Sequence, residues 1–131
     1  MQDRPTIDEM LEAVANFLTD DVMAATTGRI NFHARVAANG LQMLRREIAN
    51  QEEYLTREWD SLQTLFDDEQ PPPGSLRELM DEVRIENEGL VDAIRRGDAD
   101  SGPFRENTIA HLKGMTRDKL AVTNPAWIGD G

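Results

Sequence analysis

The sequence predicts an all-α fold, an antiparallel bundle of four to five helices. Three observations predict it. Apolar residues recur at helical period along most of the chain, no stretch alternates as a half-buried strand does, and helix starts and stops fall between the periodic segments. With 131 residues there is enough chain for one domain with one core. The expectation is a single helical-bundle domain over 1–131, with a tail from about 125.

Each element has its own warrant. Thr6 and Glu9 have the spacing of a capping box, and Ile7, Met10, Leu11, Val14, Phe17, Leu18 and Val22 then repeat at helical period. The pattern fades at Ala24–Thr27, and Gly28 marks a stop. A second helix begins near Arg29, and only Gly40 interrupts the run to Pro71. Its first half carries Phe32, Val36, Met43, Leu44 and Ile48, and its second half Leu55, Trp59, Leu62 and Phe66. Two forms fit this run, one very long helix or two joined by a kink near Asn50–Gln51. The Pro71–Gly74 run reads as a short extended linker. Ser75 and Glu78 form a second capping box, and Leu76, Leu79, Met80, Val83, Leu90, Val91 and Ile94 define the third helix. Gly97 terminates that helix after Arg95 and Arg96. Pro103 opens the last helix in the favoured first turn, and Asn124–Pro125 closes it.

Composition narrows the function classes. The net charge of -11 argues against non-specific nucleic-acid binding and against docking on an anionic membrane. A basic partner, or simple solubility, suits it better. The absence of cysteine removes disulfides, thiolate catalysis and Cys-based zinc sites. The start of the chain lacks a signal-peptide pattern, and no apolar run approaches the roughly 20 residues of a membrane span. A cytoplasmic location is the expectation.

No catalytic signature emerges, and the expectation is a non-enzyme without cofactor or metal. Neither His33 nor His111 follows a Glu by three positions, as a bundle di-iron site requires. Glu78, Glu82 and Glu86 recur every four residues, the arrangement that a magnesium-dependent nucleotide hydrolase would use. Glu78 and Glu82 nevertheless turn away from the Leu79 stripe, with Glu86 near its edge, so a solvated face is the better reading. Ser61, Ser75 and Ser101 have no histidine nearby in sequence, and there is no phosphate-binding loop.

Polar placement on the second helix is unusual. At about 100° per residue, Arg35, Asn39, Gln42 and Arg46 fall within roughly 60° of one another. They form a narrow stripe opposite a wide apolar arc centred near Val36. Solvent exposure is one reading of the stripe, and a site for an anion or a partner protein is the other, because arginines offer forked donors. The arc also holds Arg29, His33, Gly40 and Glu47, so the helix is expected to be largely buried, with His33 bonded to a neighbouring helix and Arg29 paired to an acid. Gly40 then marks a close helix approach. An arc wider than one neighbour can cover also suggests a homo-oligomer. Lys119 falls among Met115, Leu112 and Val122, where its amine either snorkels out or lines a groove. Trp127, in the tail, either folds back on the bundle or anchors a partner.

Three blocks carry a family resemblance: MQDRPTIDEMLEAVANFL, GRINFHARVAANGLQMLRRE and HLKGMTRDKLAVTNP. Together they resemble the DUF6285 family of small bacterial proteins. The matching positions are Arg29, Phe32, His33, Arg35, Val36, Asn39, Arg46, Glu47, Asp118, Lys119, Asn124 and Pro125, while Gly40 stands where the family often has alanine. The family looks similar to the accessory protein of the 4-hydroxyacyl-CoA kinase in levulinate catabolism, and such proteins are typically encoded beside an aminoglycoside-phosphotransferase-like kinase and an acyl-CoA dehydrogenase. The resemblance therefore implies a non-catalytic accessory protein whose partner is a phosphotransferase-like kinase. A small-molecule module, with Arg29, His33 and Lys119 around an acyl-CoA or a nucleotide, is the competing expectation.

Overall fold

A computed structural model describes residues 3–129. The all-α class holds, with four helices and no strand among the described residues. Helix α1 spans Ile7–Asn16 and runs on through a π-helical turn, Phe17–Val22, and a last turn, Met23–Ala25. Helix α2 spans Gly28–Leu65, α3 Leu76–Arg95 and α4 Gly102–Thr123, and a 3-10 turn follows at Pro125–Trp127. Helix α2 is one continuous helix over 38 residues, the first of the two forms that fit the sequence. The chain divides into two compact units, Met1–Ala49 and Asn50–Gly131.

Local signals set the boundaries. The Thr6 hydroxyl accepts from Glu9 N while the Glu9 carboxylate accepts from Thr6 N, a complete capping box. The Ser75 hydroxyl accepts from Glu78 N but donates to the Glu78 carboxylate, so the second box is only half of the expected one. Both α2 and α3 end in the same motif. Asp68 N donates to Gln63 O and Asp67 N to Thr64 O, with Asp67 at φ 56. Asp98 N likewise donates to Ala93 O and Gly97 N to Ile94 O, with Gly97 at φ 91. A left-handed residue after the last turn lets two orphan carbonyls find donors.

In the first unit, α1 and the start of α2 form an antiparallel hairpin. Arg45 meets Asp8 and Glu12 at one end, and the Asn31 amide donates to Met23 O and Thr26 O at the other. The contact face of α2 is built on Ala34 and Ala38, which are 5% and 3% exposed. Small side chains let α1 come close. This overturns the expectation that the wide apolar arc of α2 is buried, since Phe32 is 60% exposed and Val36 52%. Helix α1 covers the alanine side and leaves the bulkier residues outside.

In the second unit, the end of α2 packs with α3 and α4. The core holds Trp59, Leu62, Leu65, Leu79, Val83 and Leu90, with Leu55, Phe66 and Phe104 against it. Helix α4 runs antiparallel to α2, because Phe66 meets Phe104 while Arg57 reaches Asp118. Helix α3 runs in the same direction as α2, because Gln51 donates to Met80 Sδ and Asn87 donates to Glu58. After Asp67 the chain turns back along α2, where Gln70 N donates to Gln63 Oε1 and Trp59 Nε1 donates to Gln70 O. The proline run completes this return before Ser75 starts α3.

Candidate functional site

The residues singled out from the sequence fall into separate groups. In the first unit, Arg35, Asn39, Gln42 and Arg46 lie along one flank of α2, beside the α1 contact. Arg35 and Asn39 are exposed, whereas Gln42 and Arg46 are half-buried. The flank is organised by Arg45, which the sequence did not single out. Its guanidinium donates to both Asp8 oxygens at 2.6 and 2.9 Å, to Glu12 at 3.2 Å and to Gln42 Oε1 at 3.2 Å. The bidentate Arg45 contact holds the Asp8 carboxyl below the usual carboxylate range, and the Asp8 contact raises the guanidinium in turn. Gln42 thus ties the stripe to the ion-pair cluster around Arg45.

Arg29 and His33 differ from expectation. Both are exposed, and Arg29 Nε donates to His33 Nε2 at 3.4 Å, one turn away on the same helix. Neither forms the buried partnership that the arc suggested, because the face carrying them is the one α1 leaves uncovered. For the same reason nothing within 4 Å would meet a Cβ on Gly40. The close approach expected there is not made within the chain.

A polar group that the sequence did not reveal lies in the second unit. His111 Nδ1 and Ser61 Oγ are 2.9 Å apart, although 50 positions separate them. Ser61 is half-buried and His111 buried. Glu58, one turn before Ser61, accepts from Asn87 at 2.7 Å. Thr108 lies one turn before His111, and Thr108 Oγ1 and His111 Nε2 are buried with no hydrogen-bond partner among the described residues. Burial pushes the His111 imidazole below its ordinary value, the Glu58 charge opposes this, and Lys119 reinforces it. The neutral ring therefore shares one hydrogen bond with Ser61. The signal available in the sequence was only a histidine amid the apolar period of the last helix.

Lys119 is exposed on α4, and its charge acts on His111. Trp127 is 74% exposed, so the expected folding back onto the bundle does not occur. Its turn is fixed by Trp127 N donating to Asn124 O at 3.0 Å and Ile128 N to Pro125 O at 3.2 Å. That short turn carries the ring outward. The acidic residues of α3 stand as helical geometry placed them, with Glu78 and Glu82 exposed and Glu86 half-buried. Among the described residues, no helix is long and apolar enough to cross a membrane.

Comparison with known proteins gives one match. A family model described as a domain of unknown function, DUF6285, matches residues 24–127, well over half of the chain. No curated protein and no solved structure matches it.

Proposed function

The chain belongs to the DUF6285 family, and from that premise we propose that it is a non-catalytic accessory protein, one that binds and supports an aminoglycoside-phosphotransferase-like kinase acting on a hydroxyacyl-CoA. The observation that supports a docking role is Trp127. Trp127 is 74% exposed on a turn held by two backbone hydrogen bonds. A rigid, amphipathic ring presented to solvent has the properties of an interface anchor, with an apolar body and one N–H donor. The Arg35, Asn39, Gln42 and Arg46 flank supplies a second contact, polar and bearing forked donors suited to carboxylates on a partner. The kinase and its substrate class come from the family's likeness to the levulinate-pathway accessory protein.

Co-expression with an aminoglycoside-phosphotransferase-like kinase of the kind the family resemblance implies, followed by size-exclusion chromatography with light scattering, tests the proposal. A stable mixed complex is expected. Trp127→Ala should weaken it by about tenfold or more, the loss typical of an aromatic anchor. Arg35→Glu combined with Arg46→Glu should weaken it further. No complex under any condition removes the kinase reading. A rise in melting temperature with CoA esters or nucleotides would then favour the small-molecule module.

A further inference from the structure

We propose that two copies of this chain pair through the first half of α2, antiparallel, along a seam formed by Arg29, His33, Val36, Gly40, Met43 and Glu47. These positions are spaced 4, 3, 4, 3 and 4, the interval at which helices interlock side by side. They lie on the side of α2 turned away from Ala34 and Ala38, where α1 packs. Val36 and Met43 are exposed there, flanked by the exposed Phe32 and Leu44. A Cβ at Gly40 would meet nothing within 4 Å, so the centre of the seam is open to close approach.

The seam reads as its own complement. A two-fold axis between the helices, at the level of Ala38 along α2, sets Arg29 against Glu47 of the second copy, His33 against Met43, and Val36 against Gly40. Opposite charges meet at both ends, and a branched side chain meets the glycine gap in the middle. Within one chain Arg29 and Glu47 are 18 positions apart on one helix, roughly 27 Å, and cannot pair. Their complementarity has meaning only between chains. An unrelated partner would have no need of a seam that is self-complementary on reversal.

Apolar exposure supplies the centre of the seam. Phe32, Val36, Met43 and Leu44 are exposed large hydrophobics on the seam and its two flanks, and α1, on the opposite side of α2, covers none of them.

Charge exchange tests the pairing with the full chain alone, in the absence of any kinase. Light scattering of the wild type should give twice 14.8 kDa. Arg29→Glu and Glu47→Arg should each weaken the dimer by about tenfold, because each sets like charges together at both ends. Mixing the two variants should restore a dimer containing one of each, since every end then has one acid and one arginine. Gly40→Leu adds bulk at the open centre while favouring helix, and should give a folded monomer by circular dichroism. A wild-type monomer at every concentration used for scattering, a dimer indifferent to all three variants, or no recovery on mixing would each overturn the proposal. Loss of kinase binding with the dimer intact would count against the accessory role alone.

Discussion

Asn87 donates to the Glu58 carboxylate at 2.7 Å, and this pair fixes the direction of α3 against α2. Gln51 bonds Met80 across the same interval of 29 positions, so the two helices advance together. Antiparallel helices would separate those two contacts by about 20 Å. The connection from α2 to α3 must therefore climb back along the bundle. Gln70 lies beside Trp59, and α3 begins one turn before Met80, a rise of roughly 18 Å. Six residues of polyproline helix rise about 19 Å.

Length and stiffness of this linker should be separable. Removing Pro71–Pro73 leaves too little chain for the climb, and the second unit should lose its cooperative unfolding transition. Replacing the three prolines with glycines keeps the reach but loosens the unfolded chain, and should cost about 1–3 kcal/mol. Urea unfolding followed by Trp59 fluorescence distinguishes the two, and equal effects would contradict the return path.

The paired helix ends make a second prediction. Asp67 and Gly97 occupy the same left-handed position after α2 and α3. A Cβ is disfavoured there, so Asp67→Gly should stabilise by about 0.5–1 kcal/mol. Gly97→Ala should destabilise by about 1–2 kcal/mol, since its Cβ would also lie 3.0 Å from Asp100 Oδ2. Chemical denaturation midpoints should move in opposite directions.

His111 makes stability depend on pH. Its folded value is held below the ordinary 6.5, chiefly by burial. As pH falls below about 6.5, the unfolded chain takes up a proton that the folded chain resists, so the contribution is complete above that pH and is lost on acidification. Melting temperatures from pH 8 to pH 5 should fall more steeply for the wild type than for His111→Gln. Parallel curves would show that the ring protonates freely in the fold.

Thr108 is the simplest test of the buried polar group. Its hydroxyl is buried without a partner among the described residues. Thr108→Val keeps the shape and removes the unsatisfied group, so it should stabilise by about 1 kcal/mol. A loss of stability would mean that the hydroxyl is bonded in solution.

The sequence by itself determined the class and the punctuation of this protein. Thr6, Ser75, Gly97 and Pro103 act through bonds and backbone angles a few positions away, so their effects could be read from spacing alone. The side of α2 that is covered could not. The periodicity located the bulky residues around Val36, yet α1 packs on Ala34 and Ala38, because the closeness of two helices is decided by both contact faces and by the turn between them. The same holds for Ser61 and His111, and for the shared direction of α2 and α3. Each is a relation between segments distant in sequence, and helical period carries no information about which segments meet. Tertiary packing supplied those relations, and with them the uncovered face of α2 on which the proposed pairing of two chains is argued.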